Sequence, residues 1–272
     1  THLADSLAHA CEVLGGDLES PGISVKPMMP GEARLGPIPI RILFAPGPNI
    51  RLPFSRSSPL TEAVIDTPAI LNGFVARLRA ADWVAMDTEA DSLHSYTEKV
   101  CLIQLSVPGE DALVDPLSGM DLAPLWQALE GRTLLLHGAD YDLRMLYRGY
   151  RFVPHAIFDT MLAARVVGMR EFGLSALVES LLGTRLDKGS QKANWSRRPL
   201  TDRMVAYARS DTRYLHPLAT LLTERLQALG RLDWHRQMCA QLVCDCTRET
   251  GEDPDGLWRI RGSSRLDPKA LA

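Results

Sequence analysis

Two carboxylates, Asp87 and Glu89, directly follow a short apolar run. The run, Trp-Val-Ala-Met at residues 83–86, predicts a β-strand, and side chains two positions apart in a strand point to the same face. If helices cover that face, the two carboxylates repel each other and lose hydration, which is costly unless a cation lies between them. Two solvated acids at the end of a strand are the simpler interpretation when the pair is taken alone.

A second polar pair, Tyr207 and Asp211, lies within an apolar helical stripe. Apolar residues from Met204 to Leu222 recur with it at spacings of three and four, which predicts one buried helix face with a carboxylate in its middle. Residues four apart project from the same face, so the phenol and the carboxylate can meet. A buried Tyr–Asp hydrogen bond with a purely structural role is the alternative interpretation.

A third acidic group follows the strand pattern at residues 133–137, where Gly138 leads into a helix that carries Asp140 and Asp142 near its start. Asp140 stands where an N-cap residue would stand, and we expect its carboxylate to cap the helix. Asp142 lies beside apolar positions, so we expect it to turn towards the sheet. Capping or compensation of the helix dipole would be its simpler role.

Together these residues form the set of acids that can hold two divalent cations about 3.5 to 4 Å apart. Such a pair of cations favours phosphodiester cleavage, because one lowers the pKa of an attacking water and the other stabilises the leaving oxygen. Oxygen ligands alone favour Mg²⁺ or Mn²⁺ over zinc. The five cysteines form no Cys-x-x-Cys pair and have no histidine at zinc spacing, so they predict reduced thiols and no zinc site. The set consists of Asp87, Glu89, Asp142 and Asp211, with Tyr207 as a fifth polar group.

The order of these motifs resembles that of the DEDD 3′-5′ exonucleases, and of ribonuclease D in particular. The matching motifs are Asp87-Thr88-Glu89, residues 137–143 and Tyr207-Ala208-Arg209-Ser210-Asp211. The third motif is Tyr-x-x-x-Asp, the tyrosine variant of the family, and Ala206 occupies the position at which the sister variant has histidine. Residues 92–105, 158–160 and 194–200 also resemble ribonuclease D. The resemblance covers about residues 60–228.

The resemblance implies a role for each motif residue. Asp87 would bridge both cations, and Glu89 and Asp211 would hold the cation that activates water. Asp142 would support the second cation, and Tyr207 would orient the nucleophilic water. Members of the family remove nucleotides one at a time from a single-stranded 3′ end and release nucleoside 5′-monophosphates, which is the activity implied for this chain.

Six residues outside the motifs are candidates for contact with nucleic acid. The two that follow the first motif are interpreted as contacts to the terminal nucleotide or as ordinary surface residues. The other four lie in residues 185–213, where eight Lys or Arg stand against three Asp, a balance of +5. A basic segment beside an acidic site suits a groove that guides phosphates, and a solvated basic face is the alternative. The tryptophan among them would stack on a base or anchor the loop. The six are His94, Tyr96, Lys192, Trp195, Arg197 and Arg198.

The elements that must position these residues alternate along the chain. Strand patterns occur at residues 83–87, 100–107, 112–114, 133–137 and 156–158, with a hairpin turn at residues 108–111. Helical patterns occur at residues 67–78, 143–150, 159–168, 173–182 and 203–229. Within the last of these, Pro217 predicts a kink or a new helix start. The pattern predicts an α/β fold with a mixed sheet flanked by helices, and the resemblance to the DEDD exonucleases implies that this sheet is ribonuclease H-like.

Composition divides the 272 residues into three parts. Residues 1–57 form a proline-rich N-terminal extension with one short helical pattern at residues 3–14, and residues 58–229 form the exonuclease domain. Residues 230–272 form a helical C-terminal segment. Within it, residues 257–271 resemble the opening of the HRDC domain, the nucleic-acid-binding module of ribonuclease D, so we interpret the segment as an incomplete HRDC-like start.

The sequence therefore predicts a metal-dependent 3′-5′ exoribonuclease that trims RNA 3′ ends, including those of tRNA precursors. A 3′-5′ exonuclease that acts on single-stranded DNA is the first alternative, because the same chemistry serves both nucleic acids. A non-catalytic nucleic-acid-binding module is the second. No run approaches the roughly 18 to 20 apolar residues of a membrane span, and we expect a cytoplasmic protein without an obligate protein partner.

Overall fold

The computed structural model describes residues 64–248, except for Tyr96 and Lys188. The proline-rich extension, its helical pattern at residues 3–14 and the HRDC-like residues 257–271 lie outside the described residues. Within the described range, none of the helices combines the length and the apolar character needed to cross a bilayer.

One five-stranded sheet organises the described residues, with the strand order β3-β2-β1-β4-β5. β1 pairs antiparallel with β2, and β2 with β3, whereas β4 runs parallel to both β1 and β5. The chain thus opens with a meander and continues with crossover connections, and the predicted mixed α/β sheet is confirmed. The strands are β1 (Val84–Ala90), β2 (Val100–Val107), β3 (Glu110–Val114), β4 (Thr133–Leu136) and β5 (Ala156–Asp159).

Eight α-helices lie in the described residues. The helices predicted within these residues are present, but the short helix α2 was not predicted, because its seven residues provide fewer than two turns of apolar periodicity. The helices are α1 (Pro68–Ala80), α2 (Ala123–Leu129), α3 (Asp140–Tyr150), α4 (Thr160–Val167), α5 (Leu174–Leu182), α6 (Asp202–Arg213), α7 (Leu215–Ala228) and α8 (Leu232–Thr247).

The sheet is buried on both faces at its centre, where all eight residues of β2 are buried. On one face, Ile103 and Leu105 belong to the largest apolar cluster, together with residues of α1, α2, α3 and α8. On the other face, Leu102 packs in a cluster with Met204 and Ala208 of α6. Because side chains alternate between faces along a strand, this second face is also the one that carries the odd-numbered positions of β1.

The long helical pattern at residues 203–229 forms two helices. α6 ends at Arg213, and α7 begins at Leu215 with Pro217 in its first turn. A proline is tolerated in a first turn, where its missing N–H has no partner to lose. The new helix start predicted from Pro217 is confirmed.

α8 packs against the sheet domain, although the predicted domain boundary separates the two at residue 229. The buried Cys239 and Cys246 of α8 join the largest apolar cluster, and His235 Nε2 lies 3.0 Å from the carbonyl oxygen of Asp159 at the end of β5. Residues 232–247 therefore share the hydrophobic core of the described domain.

Candidate active site

Three carboxylates from two elements meet on the face of the sheet that α6 covers. Asp87 and Glu89 are on β1, opposite Gln104 and Leu102 of β2. Asp211 is on α6. One carboxylate oxygen from each of the three acids lies within 4.8 Å of the other two. The first and third sequence motifs, more than 100 residues apart, are thus brought together in a geometry suited to a cation.

Tyr207 lies one helical turn before Asp211, and the two side chains are hydrogen-bonded. The phenol is half-buried, and its ring lies 6.1 Å from that of Trp195 between centroids. Burial, followed by the negative charges of Asp211 and Glu89, raises the pKa of Tyr207. The hydroxyl therefore keeps its proton at neutral pH and donates a hydrogen bond to the Asp211 carboxylate.

The fourth acid, Asp142, reaches the site from the first turn of α3. Its Oδ1 atom accepts hydrogen bonds from the Thr88 backbone N–H at 3.0 Å and from the Thr88 hydroxyl at 2.5 Å. Thr88 is the middle residue of the first motif and points to the opposite face of β1 from Asp87 and Glu89. The expectation that Asp142 turns towards the sheet is confirmed, since this side chain is buried.

Burial and mutual repulsion raise the pKa values of the clustered carboxyl groups. Desolvation is the largest cause for Asp87, whose pKa lies well above its ordinary value, followed by the charges of Asp142, Asp211 and Glu89. Desolvation, then Asp211 and Asp142, raises the pKa of Glu89 to about 9. Desolvation raises the pKa of Asp211 to about 7 and that of Asp142 to about 6, against the hydrogen bonds from Tyr207 and Thr88. A bound cation would relieve this repulsion.

The N-terminus of α3 is not capped in the predicted way. Asp140 is the first residue of the helix and makes no capping hydrogen bond; its carboxylate instead pairs with Arg144 at 3.0 Å on the exposed surface. The backbone N–H groups of Gly138 and Ala139 are held by Asp159, at 3.0 and 2.8 Å. The expectation that Asp140 caps the helix is wrong, because a carboxylate 20 residues further along the chain organises this turn.

A cavity of about 290 Å³ opens beside Glu89. The loop after β1 forms one side of it, and this loop is closed by the buried Asp91, which accepts hydrogen bonds from the backbone N–H and the ammonium group of Lys99. Leu93 and Tyr141 are exposed there. Sequence reasoning did not single them out, since nothing in their spacing distinguishes them from other surface residues. The lining residues are Thr88, Glu89, Ala90, Ser92, Leu93, His94, Tyr141, Gln191, Ala193 and Trp195.

The candidates for nucleic-acid contact fall into two groups. His94 is exposed and lines the cavity. Lys192 and Arg197 are also exposed, and the structure gives them no ion pair with another described residue. These three remain available for contact, whereas Tyr96 lies outside the described residues.

The predicted nucleic-acid contacts of Trp195 and Arg198 require a correction, because both side chains make contacts within the protein. Trp195 is 1% exposed, so its ring has no open face on which a base could stack, and it anchors its loop in the core. The Arg198 guanidinium forms two hydrogen bonds with the carboxylate of Asp115, at 2.6 and 2.7 Å, and donates to three backbone carbonyls. All five of its N–H donors are therefore used within the protein.

Comparisons with known proteins agree with this geometry. The family model of the 3′-5′ exonucleases matches residues 63–227. Ribonuclease D of Gluconacetobacter diazotrophicus is 38% identical over 209 residues, which are 74% of this chain and 53% of the relative.

Solved structures show the same similarity. The crystal structure of Escherichia coli RNase D has a TM-score of 0.67 at 30% identity and covers 77% of this chain and 56% of that one. Brucella melitensis NrnC bound to pGG has a TM-score of 0.55 at 26% identity and covers 61% of this chain and 83% of that one. This chain spans about half the length of the curated relatives it matches. From the family model and the carboxylates at its three motifs, we conclude that the chain belongs to the 3′-5′ exonuclease family.

Proposed function

We propose that this chain is a metal-dependent 3′-5′ exoribonuclease of the ribonuclease D type, which releases nucleoside 5′-monophosphates from RNA 3′ ends. The observation that carries the proposal is the meeting of Asp87, Glu89 and Asp211 within 4.8 Å beside a cavity. Escherichia coli RNase D is an exoribonuclease involved in structured RNA processing. We extend the proposal to substrates of that kind, tRNA precursors included.

The site residues fit divalent cations. The cluster offers carboxylate oxygens, which suit Mg²⁺ or Mn²⁺. Burial raises the pKa values of both Glu89 and Asp211, and the charges of Asp211 and Asp142 raise that of Glu89 further, so a cation would favour the ionised carboxylates. Two cations bound here would supply a more acidic water and a stabilised leaving oxygen for an in-line displacement at phosphorus.

Each motif residue has a task in this proposal. The charges of Asp142, Asp211 and Glu89 all act on Asp87. Asp87 would contribute to both cation sites, with Glu89 and Asp211 completing the first. Asp142 would support the second, held in place by Thr88. Tyr207 would orient the attacking water through its hydroxyl, and its partner Asp211 fixes the direction of that hydroxyl.

The cavity would take the 3′-terminal nucleotide. His94 lines it, and Leu93 and Tyr141 offer exposed apolar surface against which a base can pack. Lys192 and Arg197 would contact the phosphates that follow. Tyr96 stays a candidate for the same site by its place in the sequence. Brucella melitensis NrnC, a structural relative, has been solved bound to pGG.

Side-by-side digestion of RNA and DNA oligonucleotides with single-stranded 3′ tails tests the proposed substrate. Labelled at the 5′ end, the RNA should shorten by single nucleotides from the 3′ end, with nucleoside 5′-monophosphates as the products. A preference for the DNA oligonucleotide would instead favour the 3′-5′ DNA exonuclease. Binding of both without cleavage, in the presence of Mg²⁺ or Mn²⁺, would favour a non-catalytic binding module.

A further inference from the structure

Gln104, at the centre of β2, is a buried amide without a hydrogen-bond partner. Its side chain is fully buried, and neither Oε1 nor Nε2 contacts a donor or acceptor among the described residues. An unpaired amide in a core costs free energy, and nearly all buried polar groups are therefore paired. The neighbours of Gln104 indicate why a polar side chain occupies this buried position.

Gln104 lies beside the carboxylate cluster. It is directly opposite Asp87 in the antiparallel pair of β1 and β2, and opposite residues share a face, with Cβ atoms about 4.5 to 5.5 Å apart. On the same face of β2, Leu102 packs with Ala208 of α6, and the Ser106 hydroxyl lies 2.7 Å from that of Thr212. The amide is thus enclosed between β2 and the turn of α6 that carries Asp211.

The chemistry of the two side chains is complementary. An ionised aspartate only accepts hydrogen bonds, and the amide nitrogen of glutamine offers two N–H donors. The nearest hydroxyl on the same strand is already engaged, because Ser106 donates to Asp111 at 2.6 Å. Of these two polar side chains on β2, Gln104 is therefore the one that still has N–H donors for the Asp87 carboxylate.

We propose that Gln104 is a positioning residue: when the cluster holds its cations, Nε2 would donate to the ionised Asp87 carboxylate and orient it, whereas in the metal-free structure the amide is unpaired among the described residues. This inference rests on the proposed function, since it concerns how the cluster holds its cations. Residues that orient a metal ligand typically change metal affinity or activity by about 10- to 100-fold when they are removed. A structural amide would instead affect the stability of the protein and leave its metal affinity unchanged.

Gln104→Met separates these two roles, because methionine keeps the length of the side chain and removes both polar atoms. The readouts are the Mn²⁺ dissociation constant from isothermal titration calorimetry and the melting temperature of the metal-free protein. We expect the dissociation constant to rise about 10- to 100-fold while the melting temperature stays the same or rises. The matched control is Ser106→Ala on the same face, for which we expect a lower melting temperature and a Mn²⁺ affinity within about twofold of the wild type.

Two contrary results are distinguishable. A wild-type protein that binds no Mn²⁺ would overturn the proposed function and this inference with it. A wild type that binds Mn²⁺ and a Gln104→Met variant that binds it equally well would overturn only the role of Gln104. If the methionine variant does not fold, Gln104→Asn serves in its place, because it keeps the amide but withdraws it by one methylene; unchanged Mn²⁺ affinity there would also contradict the inference.

Discussion

Thr88 holds Asp142 with two hydrogen bonds to the same oxygen, one from its backbone and one from its hydroxyl. The residue between the two acids of the first motif therefore secures the acid of the second motif from the opposite face of β1. Thr88→Val preserves shape and removes the hydroxyl. We expect a loss of about 1 kcal/mol in the free energy of unfolding and a fall in cleavage rate of about 10- to 100-fold. Urea unfolding and single-turnover kinetics measure the two, and a variant with the wild-type rate would show that Asp142 does not depend on this hydroxyl.

The metal-free protein should lose stability as the pH rises. Glu89 and Asp211 have folded pKa values of about 9 and about 7, above their ordinary values of 4.5 and 3.8. Between the ordinary and the folded values the folded state binds more protons than the unfolded state, so their contribution is fully present below about pH 4 and is lost as the pH rises through 7 to 9. We expect the melting temperature in chelator to fall from pH 5 to pH 9.

Asp87→Asn is the control for this pH dependence. It removes one charge from the cluster, so the metal-free variant should be at least as stable as the wild type at neutral pH, with a shallower decline towards pH 9. A wild-type melting temperature that increases over this range would contradict the raised pKa values.

Tyr207→Phe keeps the ring that packs near Trp195 and deletes the hydroxyl that bonds Asp211. If the hydroxyl orients the attacking water, the chemical step should slow by about 100-fold or more, with little change in RNA affinity. Single-turnover rates at saturating enzyme, together with binding measured in Ca²⁺, separate the two effects. An unchanged chemical step would leave Tyr207 with only a structural role.

Asp140 and Asp142, two residues apart, should respond differently to alanine. Asp140 forms an exposed ion pair with Arg144, so Asp140→Ala should cost about 0.5 kcal/mol or less and keep the activity. Asp142→Ala should remove cleavage and weaken Mn²⁺ binding. Melting temperatures, rates and metal titrations on both variants decide between the residues, and the reverse outcome would assign the second cation site to Asp140.

Local periodicity predicted most of the positions that build the site. The two-residue repeat of a strand placed Asp87 and Glu89 on one face, and the four-residue spacing of a helix paired Tyr207 with Asp211. Both relations join residues that are close in the sequence, so they can be predicted without knowledge of the fold.

Contacts between distant residues were not predictable in the same way. Asp159 holds the turn before α3 from 20 residues away, and Arg198 is committed to Asp115, 83 residues away. The sequence around Arg198 does not indicate this partner. Its position in a basic segment therefore led to the prediction that it contacts nucleic acid. The burial of Gln104 likewise depends on α6 covering β2, which only the folded chain shows.

Removal and return of the cation shows whether RNA cleavage by this chain depends on a divalent metal. The protein is stripped with chelator, assayed on a 5′-labelled single-stranded RNA, and assayed again after Mg²⁺ or Mn²⁺ is restored, with Asp87→Asn treated in parallel. We expect no cleavage by the stripped protein, stepwise shortening of the RNA after either cation is restored, and no cleavage by Asp87→Asn under any condition. Full activity in excess chelator, or near-normal turnover by Asp87→Asn, would contradict this expectation.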